Sequence, residues 1–335
     1  MNPSYQYPSY TVYVVSYDKK YNVTPAVVEV GITDQEKQIA KSASINLVNV
    51  LVDGIWLSSI LKTRDRVYIY ADDGTKKEEV FRGYIWVRSY RSALSDWDIR
   101  IKCYDQLIYL QESEDSAYFS DGKSTKDVMQ SLCDKWGINL NYSYSSITHS
   151  KLVLRGKLAD LFTEDILNLV KDRTGNKYVI LSEKDVMYVR PVCSNSTIYS
   201  FLHKKNSLST SSECTMEGVV TKVVILGKAD DEERKPVEAT VTGETAKYGT
   251  LQKIIDRDEN TSLEDAKKEA QSILSDEGTP KWQYECTAVD VPWVRKGDKV
   301  YVSAGDIFEK YLVVIGIDRT ISTTKCEMMM TLEEL

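Results

Sequence analysis

Histidine is nearly absent from this chain of 335 residues: only His149 and His203 occur, and the six cysteines are widely scattered. Neither histidine has a second histidine or a cysteine at the spacing of a zinc site, and no C-x-x-C pair is present. The glycine-rich motifs that bind phosphates or dinucleotides and the G-x-S-x-G nucleophile elbow are missing as well. The sequence therefore predicts no catalytic residues, no metal site and no cofactor.

Long apolar runs are also missing. No stretch of eighteen apolar residues occurs, so we expect no membrane-spanning helix, and Met1–Tyr7 lacks the features of a secretion signal. Cysteines without paired spacing are typical of reduced, buried thiols in a cytosol. The formal net charge of −7 argues against specific nucleic-acid binding. Together these observations predict a soluble, intracellular globular protein of two or three domains.

Tyrosine is unusually frequent, with 22 residues against 5 phenylalanines. Tyrosine favours strands and suits positions that are apolar on one side and wet on the other. One interpretation is a β-rich protein with many half-exposed sheet faces. The other is that many of these tyrosines lie in subunit interfaces, where tyrosine is enriched. The two interpretations are compatible.

Two segments near the ends of the chain are similar, Asp65–Ile69 (DRVYI) and Asp298–Val302 (DKVYV). Gly83 follows the first segment at the same distance as Gly316 follows the second, so one offset of 233 residues relates both pairs. Each copy combines a charged turn, a strand of alternating polarity and a second strand that carries the glycine. We predict a duplicated β unit that frames an insertion, which is more typical of a scaffold than of a catalytic pocket.

The chain divides into three parts by the period of its apolar residues. Residues 1–115 alternate with period two through six or seven strands, which predicts a small antiparallel β-barrel. Residues 116–205 carry two helix–strand patterns, and residues 206–335 return to alternation with one helix at about 263–276. The predicted fold class is α+β, mainly β: two tube-like antiparallel β-barrel domains flank an inserted pair of small αβ units.

The middle part is itself repetitive. The pattern of Thr125–Gly137 recurs 38 residues later in Thr163–Gly175, with a hydroxyl at the start, matched apolar positions and a closing glycine. The first copy begins with Ser124, a hydroxyl cap followed three residues later by Asp127, which is typical of a helix start, and a glycine is typical of a helix end. The repeat predicts two αβ units that pack against each other.

This order of parts resembles the XkdQ/YqbQ type of tail hub protein from contractile phage tails and tail-like bacteriocins. The segments that carry the resemblance are 161–167 (LFTEDIL), 172–176 (DRTGN) and 295–300 (RKGDKV). Each motif is short, but the similarity in length and domain order spans nearly the whole chain. The resemblance implies a homotrimer in which three chains present six barrels. Such a ring would adapt a hexameric tail tube to a threefold central spike.

The resemblance also implies partners and a location. The partners would be other copies of the chain, the tail tube protein, the central spike protein, a LysM-bearing baseplate protein and wedge proteins. The location would be the baseplate of a virion or bacteriocin particle that is assembled in the bacterial cytoplasm. The strands expected to form the ring and its lumen contain Val67, Tyr68, Ile69, Gly83, Tyr84, Val300, Tyr301, Val302 and Gly316.

Two alternatives stay open on the sequence. Tyrosines and tryptophans on a β scaffold would also suit a carbohydrate- or receptor-binding tail module. A peptidoglycan hydrolase would need two carboxylates with different pKa values, and Glu112, Glu114 and Asp115 lie close together in the sequence. We interpret this acidic group as a hydrated linker, and we expect the protein not to be an enzyme.

Overall fold

The computed structural model describes residues 7–36, 38–92, 97–144, 147–228, 235–257 and 261–335. The chain is α+β and mainly β, as predicted. One compact unit contains Met1–Ser211 and Tyr284–Leu335, and a second contains Ser212–Gln283. Within the described ranges, no helix is long and apolar enough to cross a membrane.

The N-terminal part of the first unit is a set of strands around one apolar core. Its strands are β1 (Ser9–Ser16), β2 (Lys19–Asn22), β3 (Val27–Asp34), β4 (Ser42–Val48), β5 (Leu51–Val52), β6 (Ile55–Trp56), β7 (Arg66–Asp72), β8 (Lys77–Ser92) and β9 (Trp97–Tyr104). A 3-10 turn, Thr24–Ala26, and two short helices, α1 (Leu57–Ile60) and α2 (Ile108–Gln111), connect them. Alternate residues of β7 are buried because successive strand side chains point to opposite faces.

The middle part follows, with its own core. Its elements are β10 (Glu114–Phe119), α3 (Thr125–Lys135), β11 (Asn139–Tyr142), β12 (Leu152–Lys157), α4 (Leu158–Asp160), a π-helical segment (Leu161–Leu167), α5 (Asn168–Thr174), β13 (Tyr178–Glu183) and β14 (Val186–Pro191). Ser124 and Asp127 form the predicted cap of α3. The second helical stretch begins at Leu158, before Thr163, so Thr163 lies inside it and its hydroxyl donates to the Ala159 carbonyl.

The remaining elements complete both compact units. They are β15 (Tyr199–Leu202), β16 (Ser207–Thr215), β17 (Lys222–Leu226), β18 (Val237–Thr242), α6 (Thr245–Tyr248), β19 (Gln252–Asp256), α7 (Leu263–Glu277), β20 (Lys281–Val289), β21 (Lys299–Ala304), β22 (Ile307–Ser322) and β23 (Cys326–Glu334). Helix α7 confirms the predicted helix, and its apolar stripe joins the core of the second unit, which also contains strands β17 to β19.

Strand pairing differs from the predicted pair of closed barrels. The order is β16-β20-β23-β22-β3-β4-β9-β8-β7-β1-β2 in one sheet of thirteen strands, with β21 beside β22 and β15 beside β21. Among the described strands, the two halves are joined edge to edge through β3 and β22 instead of closing separately. The reason is that β22 is longer than β21: it pairs with β21 up to Val313, and from Ile317 to Ser322 it pairs with β3 on the same edge. Alternation identified the strands, but it contains no information on which distant edges meet.

The predicted duplication is visible in the topology. Strands β3-β4-β9-β8-β7 and β16-β20-β23-β22-β21 follow the same spatial order and the same chain order. The turns Lys62–Asp65 and Arg295–Asp298 also match in detail. In each, the aspartate side chain accepts a hydrogen bond from the backbone N–H three residues earlier. The residue before it, Arg64 or Gly297, has a positive φ. The two turns are related by the offset of 233 residues.

The predicted match of Gly83 with Gly316 is wrong. The N–H of Ile85 donates to the Asp65 carbonyl, and the N–H of Val314 donates to the Asp298 carbonyl. The second strands of the hairpins therefore correspond at an offset of 229, because the second hairpin is four residues shorter. A β-bulge follows each of these positions and confirms the offset.

Gly83 has a packing role of its own. A Cβ atom at this position would lie 2.2 Å from the carbonyl oxygen of Tyr104 and 2.6 Å from its carbonyl carbon. Both atoms belong to the backbone of the neighbouring strand, so they cannot move away without disturbing the pairing of β8 with β9. At Gly31 the nearest atom to a Cβ would be 3.7 Å away, which is ordinary contact.

We expect Gly83→Ala to lower the free energy of unfolding by about 1–3 kcal/mol, the range for overpacking of a filled interior. Gly31→Ala, on another strand of the same sheet, should change it far less. Urea denaturation followed by tryptophan fluorescence measures both variants. Equal losses in the two variants would contradict this role for Gly83.

Asp105 lies in the connection between β9 and α2. It is buried, and its carboxylate accepts hydrogen bonds from the backbone N–H groups of Lys41, at 3.0 Å, and Leu107, at 2.9 Å. Burial raises the pKa of Asp105 to about 7, and the hydrogen bonds only partly offset this effect. The protonated form is therefore favoured in the folded state.

This shift predicts a dependence of stability on pH. An unfolded aspartate titrates near pH 4, so the folded chain binds more protons between about pH 4 and pH 7. The contribution of Asp105 to stability thus falls as the pH rises through this window. When the pH is lowered from 8 to 5, the free energy of unfolding of the wild type should rise by roughly 1–3 kcal/mol relative to that of Asp105→Asn.

The control is Asp115→Asn. The hydrogen bonds from Lys135 and Trp136 hold the pKa of Asp115 below its usual value, so wild type and this variant should differ by a constant amount over the same range. Urea titrations at several pH values measure both differences. Parallel stability curves for wild type and Asp105→Asn would contradict the prediction.

Candidate assembly interface

The residues predicted to form the ring and lumen fall into two groups. Val67, Tyr68, Ile69, Gly83 and Tyr84 lie together on the β7–β8 hairpin, and Val300, Tyr301, Val302 and Gly316 lie on the β21–β22 hairpin. The valines and the isoleucine are in the cores of their halves, whereas the three tyrosines are half-buried on the opposite face. Their role in a ring or lumen stays a prediction.

Two arginines cover the tyrosines on the β7–β8 face. The guanidinium of Arg66 lies 4.7 Å from the ring centre of Tyr84, and that of Arg82 lies 5.1 Å from the ring centre of Tyr68. Both arginines also bind Asp185, with N–O distances of 2.6 Å and 3.0 Å. Asp185 lies in the turn between β13 and β14, so this contact fixes the middle part onto the first copy.

The same turn region reaches the second copy. The carboxylate of Glu183 lies 2.7 Å from the guanidinium of Arg295. Val179, on β13, packs against Gly297 so closely that a Cβ on this glycine would lie 2.6 Å from it. The β13–β14 hairpin therefore contacts both copies of the duplicated unit. Position 297 requires a glycine for two reasons: Val179 leaves no room for a Cβ atom, and the backbone has a positive φ.

The two copies meet directly along a strand ladder. Strand β22 pairs antiparallel with β3, from Ile317 opposite Asp34 to Ser322 opposite Glu29. On its other edge, the same stretch of β22 pairs with β23. Backbone hydrogen bonds therefore join β22 of the second copy to β3, the first strand of the first copy.

A buried ion pair lies at one end of this ladder. The ammonium of Lys296 is 2.8 Å from a carboxylate oxygen of Asp34, and both side chains are almost fully buried. The ammonium also donates to the carbonyls of Gln35, at 3.0 Å, and Gln38, at 2.9 Å. Burial alone would raise the pKa of Asp34, but Lys296 and then Lys41 lower it below its usual value. The second copy thus inserts a cation into the β3–β4 connection of the first.

A second buried network lies beside it. The Arg319 guanidinium donates to a carboxylate oxygen of Asp290, at 2.9 Å, and to the carbonyls of Val291 and Val294. The hydroxyl of Tyr10, on β1, donates to the other oxygen of Asp290. Burial, and then the charge of Asp290, raises the pKa of this tyrosine. Tyr10 lies on β1, which pairs with β7 of the first copy, and Asp290 follows β20 of the second copy, so this network also crosses the junction.

Sequence reasoning missed these charged residues, although a signal was present. In β3 the buried positions are Val30, Ile32 and Asp34, and in β22 they include Arg319. Each charge therefore occupies an inward position of an alternating strand. A charge at such a position needs a buried partner because isolated burial is costly.

The acidic group considered for a hydrolase has a structural role. Glu114 and Asp115 lie in β10, so the interpretation as a hydrated linker is wrong. Asp115 binds Lys135 and accepts a hydrogen bond from the indole of Trp136, and its pKa is lowered, whereas a general acid needs a raised value. In the described part of the chain, no three histidine, cysteine, aspartate or glutamate side chains are placed to hold a metal ion.

A cavity of about 150 Å³ lies at the junction. Its lining includes Glu79 and Arg82 from the first copy and Arg295 from the second, together with Glu183 from the middle part. These side chains form ion pairs, Glu79 with Arg82 and Glu183 with Arg295. The cavity is therefore part of the polar network that joins the two copies.

The buried pair predicts a large effect of Lys296→Ala. Removal of the ammonium leaves Asp34 buried without its close partner, so the free energy of unfolding should fall by about 3–5 kcal/mol. Lys325→Ala is the control because Lys325 pairs with Glu327 at the surface, where an ion pair contributes at most about 1 kcal/mol. The double variant Asp34→Asn, Lys296→Met should recover part of the loss. Urea denaturation that gives equal losses for the two alanine variants would contradict this assignment.

The fold is shared with solved tail proteins. A tail protein from Neisseria meningitidis MC58 aligns with a TM-score of 0.73 and 14% identity over 97% of each chain. The 43 kDa tail protein of prophage MuSo2 from Shewanella oneidensis aligns with a TM-score of 0.72 and 15% identity, over 97% of this chain and 98% of its own. At these identities the similarity establishes the fold.

A third relative is the E. coli c3393 protein, a type VI secretion component with structural similarity to the T4 bacteriophage tail proteins gp27 and gp5. It aligns with a TM-score of 0.57 and 9% identity, over 92% of this chain and 74% of its own. No curated protein matches the sequence significantly. The sequence model of the YQBQ-like family matches residues 32–333, which is nearly the whole chain. The resemblance found in the sequence is thereby confirmed, and the chain belongs to the YQBQ-like family.

Proposed function

We propose that this protein is the structural hub of a contractile-tail baseplate. Three chains would form a pseudo-sixfold ring that joins a hexameric tail tube to a trimeric central spike. The observation that carries this proposal is the duplicated five-strand unit, whose two copies are joined edge to edge by the β3–β22 ladder. A chain with two similar units can repeat one type of contact six times in a trimer.

The differences between the copies account for the threefold side of such a ring. The connection from β3 to β4 in the first copy is the short stretch 35–41. The equivalent connection in the second copy, from β16 to β20, contains most of the second compact unit. The αβ part 116–205 also occurs once per chain. Three chains would therefore present six similar β units but only three of each insertion, which suits a tube on one face and a spike on the other.

Family and fold supply the proposed partners and location. The solved structures that share this fold include a tail protein, a prophage tail protein and a protein similar to T4 gp27 and gp5. We assign to this chain contacts with other copies of itself, the tail tube protein, the central spike protein, a LysM-bearing baseplate protein and wedge proteins. Its place would be the baseplate of a virion or bacteriocin particle assembled in the bacterial cytoplasm. The role is structural rather than catalytic.

Light scattering on the purified full-length chain tests the trimer. We expect a mass three times that of one chain, because the contact between the copies can be repeated between subunits until the ring closes. Negative-stain images of the same sample should show a ring of six similar lobes with a central hole and threefold features. A single-chain mass at the highest soluble concentration, with no rings on the grid, would contradict the proposal.

A further inference from the structure

The two long strands β8 and β22 are equivalent, but only one of them is covered along its whole length. Strand β22 pairs with β21 up to Val313, and from Ile317 onwards β3 takes the same edge. Strand β8 pairs with β7 up to Tyr84. Beyond this point the described residues place no strand on that edge of β8, although its other edge continues along β9 to Ser92.

The exposure of the two strands reflects this difference. Every residue of β8 from Trp86 to Ser92 is exposed, including the large side chains of Val87, at 47%, and Tyr90, at 46%. Arg319, which corresponds to Tyr90 at the offset of 229, is only 7% exposed. An exposed strand edge with large apolar side chains is a site for pairing with another chain.

A complementary edge exists in the second copy. Strand β16 corresponds to β3, and in the first copy β3 is paired on both edges, with β4 and with β22. Strand β16 is the end of the sheet: among the described strands it pairs only with β20, and its first residue, Ser207, also forms an isolated bridge with His203. Its segment Ser207–Ser211 belongs to the first compact unit, and Leu208 there is exposed. The open edge of β16 is therefore the equivalent of the edge with which β3 binds β22.

We infer that residues 88–92 of β8 pair antiparallel with β16 of the neighbouring copy of this chain, so that the β22–β3 ladder is repeated between subunits. This inference rests on the proposed trimer and names its contact. Each chain has one edge of each kind, so the contact is head-to-tail, and such contacts form closed rings when the rotation allows it. The occupant of the exposed β8 edge is thus a second copy of this chain.

The contact between subunits would differ in chemistry from the one within the chain. Thr63 stands where the second copy has Lys296, and Tyr90 stands where it has Arg319. Neither Lys296, which crosses the internal junction, nor the buried Arg319 therefore has a cationic equivalent at the β8 edge. Backbone hydrogen bonds and the apolar surface of Trp86, Val87 and Tyr90 would carry the association instead.

Site-directed disulfide formation tests this pairing. In a chain with Cys214→Ser, which removes the exposed thiol of β16, Arg91→Cys is combined in turn with Leu208→Cys, Ser209→Cys and Ser211→Cys. Mild oxidation of the trimer fraction should give covalent dimers and closed covalent trimers on a non-reducing gel, most strongly for one of the three pairs. Arg91→Cys with Val153→Cys, an exposed position on β12 in the middle part of the chain, should give none.

The outcomes separate the two proposals. A trimer by light scattering that forms no disulfide with any of the three pairs would overturn the β8–β16 pairing and leave the trimeric hub standing. A chain that stays monomeric would overturn both.

An aromatic-to-lysine variant gives an independent readout. Tyr90→Lys should raise the concentration at which the trimer dissociates about tenfold or more, because it places a charge in the contact. Tyr118→Lys is the matched control, since Tyr118 is an exposed tyrosine on β10 outside both edges. Thermal denaturation shows whether either variant affects folding of the chain. Equal trimer dissociation for the two variants, with unchanged melting temperatures, would contradict the inference.

Discussion

The ladder between β3 and β22 is the contact on which the rest of the structure depends. It joins two copies of one β unit whose chain positions are almost as far apart as the sequence allows. Such a long-range pairing is entropically costly to close, and the backbone hydrogen bonds alone do not select it over other open edges. The Lys296–Asp34 pair and the hydrogen bond from Tyr10 to Asp290 supply this selectivity, because each joins a buried polar group of the second copy to a partner on the side of the first.

The middle part reinforces the same junction from outside. Asp185 and Glu183 lie on one hairpin, and each binds an arginine of a different copy. The β13–β14 hairpin thus fixes the relative position of the two copies of the five-strand unit through a few charged contacts. The residues chosen from β7 and β21 are mostly core residues, because alternation identifies the buried face of a strand. The contacts of the opposite face depend on residues distant in sequence, such as Asp185 over β7 and β8, and alternation does not show these contacts.

Much of the fold could be predicted from the sequence, and the failures have specific physical causes. Alternation identified β7 and β21, the capping residues placed α3, and the helical period of apolar residues placed α7, because these signals are local. Strand partners were not predictable, since a period of two shows a buried face but not the edge beside it. The Gly83–Gly316 match failed because a hairpin shortened by four residues shifts its second strand while the turn stays in place. The inward charges at Asp34 and Arg319 could have been noticed, but not their partners.

The buried lysine also bears on how the two copies could diverge after duplication. The carbonyls of Gln35 and Gln38 hold the Lys296 ammonium, so the length and path of the β3–β4 connection are fixed by its role as a receptor for this cation. The first copy has Thr63 where the second has Lys296, and the β16–β20 connection, which is equivalent to the β3–β4 connection, contains most of the second compact unit. Only the β3–β4 connection must keep the path that binds this cation, so a long insertion in the β16–β20 connection leaves the buried ion pair intact.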